Sequence, residues 1–246
     1  GDVYKRQILK GTITSDVTLA AGNTYKLSGE YIVEEGATLH IEEGVKIIAV
    51  YDDIADYILV KQGGKINAVG TPDKPIVMTS EKEEPGAWGG IHICGRAHTN
   101  AEGGKGSSEI GGSVYGGNDD ADNSGTLQYI RLEYTGFAFD EEHEANGISF
   151  YGVGNGTIVD HCQAYKGSDD GFEFFGGSVN VSNLVAVSCS DDSFDWTEGW
   201  NGKGTNLVAY QEAESTLGYD CDCLMECDNN GSNNAATPVA HPVLKN

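Results

Sequence analysis

Two short segments carry paired carboxylates at a fixed interval. Ser168-Asp-Asp-Gly-Phe-Glu-Phe174 and Ser190-Asp-Asp-Ser-Phe-Asp-Trp196 lie 22 residues apart and match position by position. Each has two Asp, a small residue, Phe, a carboxylate and an aromatic. Looser copies stand upstream at Asn146-Gly-Ile-Ser-Phe150 and downstream at Asp222-Cys-Leu-Met-Glu226. If the copies stack, Asp169 and Asp170 lie over Asp191 and Asp192, and Glu173 over Asp195, at the ~5 Å spacing of paired strands. Like charges that close repel unless a proton or a cation intervenes, and near neutral pH a hard cation is the better partner. Calcium suits such a set, because it accepts roughly six to eight oxygens in flexible geometry. These six residues read as metal ligands, with calcium as the expected ion.

Other chemistry-bearing residues give weaker patterns. In Asn118-Asp-Asp-Ala-Asp-Asn-Ser-Gly125, the residues Asp120, Asp122, Ser124 and Gly125 reproduce the first half of a D-x-D-x-S-G calcium loop, and Asp119 adds a carboxylate. Arg131 stands where the closing Glu belongs, so an Asx-rich turn explains the same residues. Asp140-Glu-Glu-His-Glu144 has no period of its own and reads as solvated. Cys94, Cys162, Cys189, Cys221, Cys223 and Cys227 are even in number, which permits disulfides in an oxidising compartment. Cys221, Cys223 and Cys227 lack a second pair at zinc-site spacing. There is no G-x-S-x-G, no HExxH and no phosphate-cradling glycine loop. His161 and Cys162 are adjacent and would face opposite sides of a strand. A calcium-assisted polysaccharide lyase would need a base such as Lys166 or Arg131 near the carboxylates. A glycoside hydrolase would need only a carboxylate pair, which this chain has in excess.

A motif recurring at about 22 residues is the mark of a solenoid, each repeat one coil stacked on the next. Ile32, Leu39, Ile41, Val45 and Ile47 alternate at period two, with Gly36 and Gly44 at turns where positive φ is cheap. Pro72 and Pro75 lack ladder donors and belong at a corner. Asn183-Leu-Val-Ala-Val187 and Asn206-Leu-Val-Ala-Tyr210 repeat at nearly the same interval. Stacking aligns Ile148, Phe172, Phe194 and Met225 in one apolar column, Ser149, Glu173, Asp195 and Glu226 in a second, and Phe150, Phe174 and Trp196 in a third. The fold expected is all-β: a right-handed parallel β-helix, a single solenoid domain over residues 8–246. Residues 95–125, rich in Gly, Ser and Asp, form a long excursion from it. Gly1–Gln7 reads as an adapter-derived or cloning scar, and the pattern running to Asn246 reads as truncated at the C-terminus.

The formal charge is −23, and residues 117–228 hold 22 acids against Arg131, Lys166 and Lys203. Such a field repels nucleic acid and anionic lipid. No apolar run reaches the ~18 residues of a membrane helix.

Several motifs together resemble a family of secreted or lipid-anchored bacterial β-helix proteins of Bacteroidetes and marine Proteobacteria. They are Gly70-Thr-Pro-Asp-Lys-Pro-Ile-Val77, Trp88-Gly-Gly90, Tyr115-Gly-Gly117, Asp122-Asn-Ser-Gly125, Asn146-Gly147, Gly152-Val-Gly-Asn-Gly156, Asp169–Gly177 and Asp191–Trp196. The resemblance runs from about Gly36 to Asn246 and implies a β-helix on the cell surface or in an extracellular layer, without an established enzymatic activity. The cysteines at Cys221–Cys227 depart from that family's Gly or Ser, which bears on the local turn and on cross-linking between coils. The expected protein is a non-enzymatic structural or adhesive β-helix, stabilised by calcium. Its expected partners are copies of itself, in a filament or surface layer, or a cell-surface glycan or protein. The alternatives are a polysaccharide-active enzyme or a glycan-binding module of a larger adhesin.

Overall fold

The computed structural model describes residues 8–52, 54–140 and 143–246. Segment 1–7, with its scar-like sequence, and Glu141 and Glu142 of the third acidic cluster lie outside the described residues. Among the described residues twenty strands join one sheet, and the pairings along it are parallel. This is the expected parallel β-helix. Two small antiparallel ribbons project from it, Gly106–Ser107 with Val114–Tyr115 and Ala138–Asp140 with His143–Glu144.

The repeat sets the register. Ile148, Phe172 and Phe194 pair in succession, as do Ser149, Glu173 and Asp195, and Phe150, Phe174 and Trp196. Glu226 follows Asp195 in the next coil, and Val185 meets Val208 at the anticipated interval of 23. Alternation then sends the first and third columns inward. Phe150 stacks on Phe174 at 5.0 Å between ring centres, Phe172 on Phe194 at 5.6 Å, and Phe174 on Trp200 at 4.2 Å. These near-parallel stacks fill the core that begins with Leu19, Leu27 and Leu39 in the first coils. The glycine turns behave as expected, with φ of 82° at Gly36 and 69° at Gly44. Thr71 and Lys74 exchange backbone hydrogen bonds across the Pro72–Pro75 corner.

Two other corners are left-handed without glycine. Tyr129, His161, Asn183 and Asn206 follow one another in successive coils with φ between 50° and 55°. Tyr134, Lys166 and Ser188 form a second such row. Asparagine tolerates this region because its short amide bonds locally. Asn206 Nδ2 donates to Asn183 Oδ1 at 3.0 Å, and Asn183 Nδ2 donates to Asp160 Oδ1 at 2.7 Å. Above them the rings of Tyr129 and His161 stack at 4.5 Å. Asn183→Ala should lower stability by roughly 2 kcal/mol, combining the strain of a left-handed alanine with a broken hydrogen-bond row. Asn183→Gly removes only the second contribution, so denaturant melts of both variants separate the two. Equal losses would show that the backbone angle contributes nothing.

One stretch departs from the simple coil. Between Cys94 and Gly125 the chain leaves the stack and folds back over the outer face of the sheet. Tyr57–Val60, Ile91–Cys94 and Ile148–Tyr151 are consequently buried on both faces. Ile110 and Tyr115 of the excursion pack with Tyr57, Leu59, Cys94, Tyr151 and Phe175 in a second apolar cluster. Arg96 ties the base of the excursion to Glu35 at 2.7 Å.

A cavity lined by carboxylates

The second column of the repeat faces outward. Along the axis it reads Leu59, His92, Ser149, Glu173, Asp195 and Glu226. Where the apolar part of the excursion covers it, the column is apolar or neutral. His92 is fully buried there, bonded through Nε2 to Gly89 O at 2.6 Å, and burial pushes its pKa down to about 4. Beyond Ser149 the column becomes acidic, and a cavity of about 190 Å³ opens. Its lining is Glu109, Glu144, Asp169, Asp170, Glu173, Asp191, Asp192, Asp195 and Glu226. All six residues of the repeated motif are present.

Stacking sets their spacing. Asp170 Oδ1 accepts the backbone N–H of Asp192 at 2.9 Å, and one coil on, Asp192 Oδ1 accepts that of Cys223 at 2.9 Å. The same tie, repeated, locks each Asp pair over the next. Oxygens of Asp169, Asp170 and Asp191 lie within 4.8 Å of one another, as do those of Asp170, Glu173 and Asp195, and those of Asp192, Asp195 and Glu226. The triads overlap, sharing Asp170 and Asp195. Asp192 also meets Asp222 and Cys223 in a further triad at the edge.

Among the described residues nothing of opposite charge lines this cavity. In the earlier coils Glu34, Glu43 and Glu35 are each paired with Lys61, Lys74 or Arg96 from a neighbouring coil. Here no lysine or arginine is on the wall among the described residues. Burial is the largest influence on the carboxyl groups, and their mutual repulsion adds to it. Asp169, Asp192 and Glu109 are pushed up to about 7 and Asp195 to about 6. Asp170 and Glu173 rise well above the usual carboxylate range, and Asp191 and Glu144 also rise. Between coils the carboxyls face one another closely, Asp169 with Asp191, Glu173 with Asp195, and Asp192 with Glu226. Asp195 Oδ1 is buried without a partner. Asn146 donates Nδ2 to Ser149 Oγ and to Glu173 Oε2, at 3.0 and 2.6 Å, and its Oδ1 is also buried without a partner. The site is acceptor-rich and donor-poor, which fits a hard cation with oxygen ligands.

A family model described as a pectate-lyase-like beta helix domain matches residues 11–246. The chain belongs to that family. The comparison with curated proteins found no match, and neither did the comparison with solved structures.

Other sequence-derived sites in this pectate-lyase-like β-helix are arranged differently. Asp119, Asp120 and Asp122 do not converge. Asp122 Oδ2 accepts from Arg96 N at 3.0 Å, Asp120 Oδ1 accepts from His98 N at 3.0 Å and meets its ring Nδ1 at 2.7 Å, and Asp119 Oδ1 accepts from Ala121 N at 3.2 Å. They cap backbone at the root of the excursion, as the Asx-rich-turn reading of the same residues expects. The cysteines are unbridged in this structure. Cys94, Cys162 and Cys189 are buried, and burial pushes their thiols up to about 11, 12 and 12. Cys162 sits in the main core and Cys94 in the second cluster, so the fold holds them apart. Lys166 Nζ binds Glu212 at 3.1 Å and lies over the Tyr165 ring, while Arg131 pairs with Glu133 and shares that ring. Neither reaches the acidic cavity, so neither is placed as its base.

Sequence reasoning missed Glu109 and Glu144. Glu144, expected to be solvated, stands at the cavity rim on the His143–Glu144 ribbon strand. Glu109 comes from the excursion, and its only sequence signal is the neighbouring Ile110, a lone large apolar residue among Gly and Ser.

Proposed function

We propose that this protein is a calcium-stabilised extracellular β-helix with a structural or adhesive role, and that the acidic cavity is its calcium site. The observation that carries the reading is the set of nine carboxylates converging with no basic residue on the wall among the described residues. Coil stacking cannot relieve their repulsion, whereas bound divalent cations do. Overlapping triads that share Asp170 and Asp195 suit more than one cation, bridged by common carboxylates. Calcium fits better than zinc, which favours nitrogen and sulfur ligands in a closed tetrahedron. An extracellular setting supplies the ion at the millimolar levels that weak sites need. The described residues contain no helix long and apolar enough to cross a membrane. Self-association through strand edges at the ends of the stack, or contact with a cell-surface glycan or protein, would supply the adhesive role.

The family match favours a second reading, a calcium-assisted enzyme acting on an acidic polysaccharide. Its difficulty is the base, since Lys166 and Arg131 are engaged elsewhere. Calorimetric titration with calcium, followed by incubation with uronate polymers, tests both readings. Calcium binding without release of unsaturated, ultraviolet-absorbing ends is the expected result. Turnover that disappears in Asp170→Asn would overturn the non-enzymatic reading, and the absence of calcium binding would overturn the site itself.

A further inference from the structure

Seven of the cavity's carboxylates come from the stacked coils; Glu109 comes from the tip of the excursion. The tip is a compact turn. Ser108 N donates to Ser113 O at 2.8 Å, Ser108 Oγ donates to Ile110 O at 2.7 Å, and Ser113 N donates to Ser108 Oγ at 2.8 Å. Two opposing effects act on it. Ile110 is fully buried in the second apolar cluster, which holds the tip down. Glu109 stands against eight other carboxylates; among the described residues its carboxylate accepts a hydrogen bond from the Tyr151 hydroxyl at 3.4 Å, and His143 nearby favours its charge. Its charge is felt at both Asp169 and Glu173. Repulsion from the neighbouring carboxylates opposes the packing of the tip on the sheet.

Among the described residues, Asp195 Oδ1 on the cavity wall is buried without a donor, and so is Asn146 Oδ1 behind Glu173. Asn146 is 1% exposed and its amide rests on Glu173. Asp195 Oδ1 lines the cavity, is not satisfied by the packing of the coils, and points to a positive group between Glu173, Asp195 and the wall that Glu109 completes. We infer that Glu109 is a loop-borne cation ligand, and that cation binding fastens the tip of the excursion over the outer face of the sheet. This inference rests on the cation reading of the cavity. Calcium would then link a segment with no solenoid strands to the solenoid itself, and its loss would uncover Leu59, Tyr151 and Phe175.

Hydrogen exchange of the full chain, with calcium chloride or with a calcium chelator, tests the inference together with calorimetric calcium titration. Peptides spanning 106–115 should exchange at least tenfold more slowly with calcium, while Asn183–Val187, in the core coils, changes much less. Glu109→Gln should weaken calcium binding by about 10–100-fold and abolish the slowing at the tip. Glu102→Gln, in the same excursion but outside the cavity, should behave as wild type in both measurements. Calcium binding with unchanged exchange at the tip, or undiminished affinity in Glu109→Gln, overturns the inference and leaves the cation site standing. A wild-type chain that binds no calcium overturns both.

Discussion

Chelating divalent cations near pH 7.5 is expected to lower the midpoint of thermal unfolding by about 5–10 °C for each cation removed. A ligand at a hundred times its Kd stabilises the folded state by about 2.7 kcal/mol, and in a chain of this size each kcal/mol moves the midpoint by roughly 2–4 °C. The same carboxylates fix the pH dependence of the cation-free protein. Asp169, Asp192 and Glu109 titrate near 7 and Asp195 near 6 in the folded state, against about 4 in the unfolded chain. The folded state therefore binds protons more tightly. Its stability from these groups is fully present below about pH 4 and is lost as pH rises through about 6 to 7. The chelated protein should accordingly melt lower at pH 7.5 than at pH 5, against the usual behaviour of surface ion pairs. Calcium should flatten the curve by taking the place of the protons. Calorimetric scans from pH 4.5 to 8, with calcium and with chelator, measure both effects. A chelator-insensitive melt that stays flat with pH would show that the carboxylates are solvated and need no counter-ion.

How much of the fold and the cavity is legible in the sequence depends on the period. Asp169, Asp170, Glu173, Asp191, Asp192 and Asp195 fall together on sequence grounds alone, because a repeat of 22 residues turns sequence distance into a strand spacing. The core stacks follow by the same logic, since alternation sends Phe172 and Phe174 to one side and Glu173 to the other. What lacks a period is not legible. Glu109 reaches the cavity only because the excursion folds back, and that depends on a tertiary contact by Ile110. Asp120 and Asp122 are ambiguous for the converse reason. Their spacing imitates a calcium loop, while their oxygens accept from the backbone N–H groups of Arg96 and His98. The left-handed angles at Tyr129, His161 and Lys166 also leave no trace in residue type. Register imposes them: each corner must turn where the coil beneath it turns.

Asp195→Asn should move stability in opposite directions with and without calcium. Asp195 is the carboxylate shared by the triads with Asp170 and Glu173 and with Asp192 and Glu226, and its Oδ1 is buried without a partner. In the cation-free protein at neutral pH, the amide removes one charge from a repelling set and provides a donor for Glu173, which lies beside Asp195 in the neighbouring coil. The variant should therefore melt above wild type when both are chelated near pH 7.5. With calcium the order should reverse. An amide oxygen is a weaker ligand than a carboxylate, and loss of a bridging ligand should weaken affinity by at least the ~10–100-fold that removal of an outer-shell partner costs. Because one residue serves two triads, the titration should lose stoichiometry as well as affinity. A core defect cannot produce this crossing, since it lowers the melt under both conditions. A solvated acidic edge cannot produce it either, since neutralising one exposed charge there shifts neither curve much. The crossing of the two melting curves thus separates an ion-bridged ladder from an ordinary acidic surface. If Asp195→Asn melts below wild type under chelation, the carboxylates are held by protein donors and the ladder is not built around cations.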